Sequence, residues 1–168
     1  LLLPMYLKTE TFNNSVRDKL SLLLRFATIL GFMGMLRPHT IDQLRRSSFS
    51  LVVRDRRSRR FSTTLEGKDF NAMCAVLALN QTRFYVLGFI IRFKAKTQLR
   101  AMAYFPNLSR PRTAYYNMCP VATLRAVVLR RYIAESDFLS TVGRGSKLNS
   151  YVKKLTGETR KISPHALR

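Results

Sequence analysis

Residues 83–105, RFYVLGFIIRFKAKTQLRAMAYF, read as a β-hairpin. A long apolar strand, rich in aromatic and β-branched side chains, runs through Phe93. A turn follows near Ala95–Gln98, and a return strand runs through Phe105. The flanking sequence has a helical rhythm instead. In NNSVRDKLSLLLRFATILGFMGML, the residues Val16, Leu20, Leu23, Leu24, Ala27, Leu30 and Gly31 recur at three- and four-residue intervals. That spacing predicts a core helix from about Ser15 to Met33, with Asn and Ser available as caps. Gly34 and Pro38 bracket a break. Thr40 then reads as the cap of a short helix over IDQLRRS, and FSLVV at 49–53 is β-rich.

Further along, LEGKDFNAMCAVLALN predicts a helix beginning near Asp69, and Asn107 to Arg112 a loop. Pro120 suits the first turn of another helix. Its inner face would carry Val121, Leu124, Val128 and Tyr132, with Arg125, Arg130 and Arg131 elsewhere on it. After a flexible GRGSK turn, Leu148, Tyr151, Val152 and Leu155 form one more stripe, which Gly157 ends. The fold class expected is mainly α with a small antiparallel β-sheet (α+β), as a single domain over residues 1–168.

Composition narrows the partner. The 168 residues contain 30 Lys+Arg against nine Asp+Glu, a formal charge of +21, while 46% of the residues are hydrophobic. The chain is therefore apolar enough to fold and too cationic to be at ease without a polyanion. Twenty-one of the cations are Arg, whose planar fork grips phosphate in bidentate fashion. Nucleic acid is the partner this implies, in an intracellular setting. The apolar run from Phe26 to Leu36 is too short to span a bilayer, so no membrane partner is expected. Cys74 and Cys119 lack zinc-ligand spacing and read as two buried, reduced thiols; no metal or cofactor is expected.

RDRRSRR at 54–60 carries Arg54, Arg56, Arg57, Arg59 and Arg60. It reads in two ways: a solvated loop or strand turn whose charges face water, or a loop contacting phosphates without sequence specificity. Lys94 and Arg100 in the hairpin are further candidates for nucleic-acid contact. The acids are scattered, with no P-loop, no G-x-G-x-x-G and no carboxylate trio for a two-metal nuclease. The chemistry left is that of Arg, Lys and His on a phosphodiester.

Four segments, in order, resemble the tyrosine recombinases. LLRFATILGFMGMLRPHTIDQL is similar to the family's first active-site box, with Arg37 in the place of its arginine. KAKTQLR is similar to the β-turn lysine segment, with Lys96 the better match and Lys94 the alternative. MCPVATLRAVVLRR resembles the helix after that hairpin, and ISPHALR the H-x-x-R box, giving His165 and Arg168. The resemblance implies a catalytic domain that cuts and rejoins DNA through a 3′-phosphotyrosyl intermediate, working as a homo-oligomer on DNA. Arg37 and Arg168 would clamp the scissile phosphate, Lys96 would protonate the departing 5′ oxygen, and His165 would assist. The wording L-G-F-M-G-M-L-R-P suggests a mobile element of a eukaryote, which would place the protein in the nucleus.

Two features depart from the family pattern. The acid that usually follows the first Arg by three residues is here Thr40, and Asp42 lies nearby. The nucleophilic Tyr belongs downstream of H-x-x-R, so the sequence is expected to be incomplete there, and to lack a DNA-clamping domain upstream of Leu1. Tyr115 and Tyr116 lie in the wrong place for that role. Two other readings stay open: a non-catalytic nucleic-acid-binding protein on the same scaffold, and a basic protein of a ribonucleoprotein particle such as a ribosome, with RNA as partner.

Overall fold

The hairpin forms, and it is half of a larger sheet. A computed structural model of the chain describes residues 19–57, 62–66, 70–78, 83–97, 100–108 and 119–130. Its four antiparallel strands are β1 (Phe49–Asp55), β2 (Ser62–Glu66), β3 (Phe84–Phe93) and β4 (Ala101–Pro106), in spatial order β2-β1-β3-β4. FSLVV therefore extends to Asp55 and lies beside the hairpin. STTLE, given no structure in the sequence reading, pairs with it as β2.

The helices are α1 (Lys19–Gly34), α2 (Pro38–Asp42), α3 (Phe70–Leu77) and α4 (Pro120–Leu129). The architecture is α+β. The start expected for α1 and the stripe at 148–155 lie outside the described residues.

One face of the sheet carries Phe49, Leu51, Val53, Phe89, Ile91 and Phe105, all fully buried. This follows from the period-2 alternation of a strand. Phe26 of α1 lies on that face, its ring centroid 6.2 Å from Phe49 and 6.3 Å from Phe89. Phe89 and Phe105 stack at 4.9 Å with an interplanar angle of 12°. Every residue from Leu22 to Gly31 is buried, so α1 is the core helix that the spacing predicts, covered on all its sides. Among the residues whose exposure is described, Arg25 is the only buried charge. α4 packs on α1; Val121, Leu124 and Val128 of its expected inner face are buried, Val127 is buried beside them, and Tyr132 lies outside the described residues.

Several local details differ from expectation. Pro38, not Ile41, opens the second helix: its fixed φ suits the first helical position, where an amide N–H has no partner to lose. Thr40 therefore lies inside α2 and caps nothing. The helix stops at Asp42, and a separate 3₁₀ turn covers Arg46–Ser48. Cys74 is only half-buried; Cys119 is fully buried. The Cys119 sulfur caps α4, accepting from the Ala122 N–H at 3.4 Å and from the Leu108 N–H at 3.1 Å. That contact ties the chain leaving β4 to the start of α4. Arg125 reaches back to donate to the Leu77 carbonyl at 2.8 Å, satisfying an acceptor at the C-terminus of α3.

β3 is bulged where its pairing with β1 shifts between Val52 and Val53. The Leu87 carbonyl at the bulge accepts from the Asn107 N–H and from the Tyr104 hydroxyl. Gly88 is required beside it: a Cβ there would lie 2.4 Å from the Phe105 carbonyl oxygen and 2.7 Å from the Tyr104 ring.

Candidate nucleic-acid interface

Arg37 is positioned by the end of α1. Gly34 closes that helix against the Phe105 ring, and Met35 turns the chain with a left-handed φ of 54°. Leu36, buried, anchors the chain before Arg37. The Arg37 carbonyl accepts from the N–H of Ile41, also buried, at 3.0 Å. Two buried side chains thus fix the backbone on either side of Arg37, whose own side chain is exposed.

Lys96 comes from another part of the fold, the connection between β3 and β4. Phe93 is half-buried there, while Lys94, Lys96 and Thr97 are exposed. The two approaches meet. A cleft of about 1160 Å³ is lined by Arg37, His39, Asp42, Lys94 and Lys96 among others. The fold therefore brings together the first two members of the expected set, and Lys94, the alternative for the turn lysine, lines the same cleft.

A second cleft, of about 1190 Å³, adjoins the first and shares His39, Thr40, Asp42, Gln43, Phe93 and Lys94 with it. Arg45, Arg92 and Arg100 supply its other cations. Arg92 donates to the hydroxyl of Ser50, a fully buried residue of β1, which holds the guanidinium at the sheet. His39 is exposed and lines both clefts, within hydrogen-bond reach of Gln43 at 3.1 Å.

The Arg-rich segment is elsewhere. Its strand register pairs Asp55 with Phe84, whereas Phe49 pairs with Ile91 near the clefts. Seven residues of β1 separate the two ends, or roughly 20 Å at ~3.3 Å per residue. Arg54, Arg56 and Arg57 are exposed at that far end. Asp55 organises the turn, accepting from the Arg57 N–H at 3.0 Å and pairing with Arg83 at 3.4 Å. The Arg57 N–H, followed by the Arg83 charge, holds the Asp55 carboxyl below its ordinary value, against an opposing effect of burial.

Comparison of the chain with family models, with curated proteins and with solved structures found no match.

His165, Arg168, Arg59 and Arg60 lie outside the described residues. Among the described residues, no group of three His, Cys, Asp or Glu is placed to hold a metal ion, and no helix is long and apolar enough to cross a membrane. What the described clefts offer is cationic: several guanidinium and ammonium groups against one carboxylate, Asp42. Such a lining suits a phosphodiester, which presents non-bridging oxygens to multiple N–H donors. Sequence reasoning missed Arg45, Arg92, His39 and Asp42 as lining residues. They come from α2, its exit and β3, which only the folded sheet brings side by side.

Proposed function

We propose that this chain grips a DNA phosphodiester as the catalytic domain of a tyrosine recombinase, cutting and rejoining strands by site-specific recombination. The observation that supports it is the shared cleft of Arg37 and Lys96, two residues far apart in sequence that the family resemblance had singled out independently. Arg37 binds a non-bridging oxygen and offsets charge as the phosphorus becomes pentacoordinate. Lys96 gives a proton to the departing 5′ oxygen. His165 and Arg168 complete the clamp, and the attacking tyrosine belongs downstream of them. Its attack, with the phenol proton passing to His165, forms a P–O bond to tyrosine and breaks the P–O5′ bond, and so stores the bond energy for rejoining.

The test is covalent capture. The natural gene product is incubated with labelled duplexes carrying inverted repeats, and protein–DNA adducts are separated under denaturing conditions. Arg37→Ala should lower adduct formation by ~10²–10³-fold, and Lys96→Ala by ~10²–10⁴-fold. A bridging sulfur in place of the 5′ oxygen leaves without a proton, so it should restore the Lys96 variant and not the Arg37 variant. Restoration of a Lys94→Ala variant instead would move the acid to Lys94. Adducts indifferent to all three residues would refute the assignment.

A second reading has its own support. Thr40 occupies the position where the family carries an acid, and it lines both clefts from within α2. A scaffold that binds DNA without cutting it would show cleft-dependent binding and no adduct.

A further inference from the structure

The clamp just described uses only one of the two clefts, and the other is the more cationic. We propose that the second cleft holds a neighbouring phosphodiester of the same DNA strand, so that the backbone runs from Arg37 and Lys96, across Lys94, to Arg92, Arg100 and Arg45. This rests on the reading of the first cleft as a DNA phosphate site.

Three observations carry it. The clefts are contiguous, sharing Lys94 and Phe93 from the hairpin and His39, Thr40, Asp42 and Gln43 from α2 and its end. α2 spans five residues, about 7.5 Å at ~1.5 Å per residue. One strand of B-DNA carries a phosphate every ~3.4 Å of axis, so both clefts lie within a few phosphates of each other. Size points the same way. Each cleft exceeds the ~300–1,000 Å³ usual for a small-molecule site, and the pair forms a trough suited to a polymer.

Charge is the third. Arg45, Arg92, Lys94 and Arg100 face one carboxylate, Asp42, in the second cleft. Arg92 is held to the sheet by its bond to Ser50, so little side-chain freedom remains to be lost when an anion binds. Arg45 and Arg100 are exposed, and the Arg45 backbone N–H donates to the Ser48 hydroxyl at 3.1 Å, a contact that a change of its side chain leaves available.

The experiment measures the affinity of the full chain for a fluorescent duplex across a salt series. Wild type is compared with R45A/R100A, R37A/K96A and R56A/R57A, and each variant's thermal midpoint confirms that it folds. Loss of the one phosphate contact in the second cleft should reduce the slope of log K against log salt by about 0.9, at ~0.9 per phosphate neutralised. The proposal expects that drop for R45A/R100A, and a much smaller one for R56A/R57A a sheet length away. An unchanged slope for R45A/R100A beside a reduced one for R37A/K96A would overturn the second cleft and leave the first standing. The reverse pattern would remove the first cleft's role instead. Equal drops from R45A/R100A and R56A/R57A would mean that the slope follows total charge, which also overturns it. Tighter binding to an RNA hairpin than to duplex DNA would overturn the choice of strand.

Discussion

Gly34→Ala tests how the fold sets the position of Arg37. A Cβ on residue 34 would lie 2.3 Å from Cζ and 2.8 Å from Cε1 of Phe105. Carbon atoms at rest sit ~3.5–4.0 Å apart, so more than 1 Å of space has to be found. Phe105 has little to give. Its ring is fully buried and stacked at 4.9 Å on Phe89, whose own ring lies 6.1 Å from Phe49. Overpacking of this kind costs ~1–3 kcal/mol. Replacing Gly by Ala gains up to ~1 kcal/mol in a helix interior, and less at the last helical residue. The net expectation is a loss of about 1–2 kcal/mol, or a Tm lower by roughly 2–8 °C for a chain of this size. Thermal and urea unfolding followed by circular dichroism measure it. The control is the same substitution in a Phe105→Leu background, where the missing ring leaves room for the methyl group. There the cost of Gly34→Ala should shrink by on the order of 1 kcal/mol, as for residues in direct contact. An equal cost in both backgrounds, or a stabilised single variant, would refute the packing explanation.

Two further outcomes are expected. Met35 is exposed and holds a left-handed φ of 54°, a conformation in which a Cβ costs ~1–2 kcal/mol. Met35→Gly should therefore stabilise the chain by about 0.5–1 kcal/mol after the extra freedom of glycine in the unfolded chain is counted, read as a rise in Tm. For Asp55, a carboxyl held below its ordinary value stabilises the fold above the unfolded-state value and loses that contribution as pH falls through the folded one. Wild type should thus be more stable than Asp55→Asn at neutral pH. The difference should close as pH is lowered past the usual Asp range of about 3.9, as followed by urea midpoints. A gap that persists at pH 2 would contradict the role given to its charge.

The elements legible in the sequence are those whose signal is local. The hairpin at 84–106 shows itself through its apolar run and polar turn, and α4 through Pro120 and the spacing of Val121, Leu124 and Val128. β2 was not legible, because Ser62–Glu66 is short and polar and becomes a strand by pairing with β1. The thiol cap of Cys119 was hidden since sulfur is not among the usual capping groups. Thr40 misled because a cap-type residue two places after Pro38 competes with a stronger start signal. In the site, the pairing of Arg37 with Lys96 was suggested by ordered motifs, whereas the positions of Arg45, Arg92 and Arg100 depend on strand register. One sequence does not display register.

Arg37, Lys94, Lys96 and Arg100 are all carried outside the core, on a helix break and a hairpin turn. Exchanges at such exposed positions ordinarily alter stability by less than ~0.5 kcal/mol. Chemistry and architecture are consequently under separate control. A descendant of this chain is free to lose its cations one by one, and with them any action on a phosphate, while its aromatic core still assembles the same scaffold. Persistence of the fold across relatives would then say little about persistence of the activity, and the identities at these four positions would be the place to look.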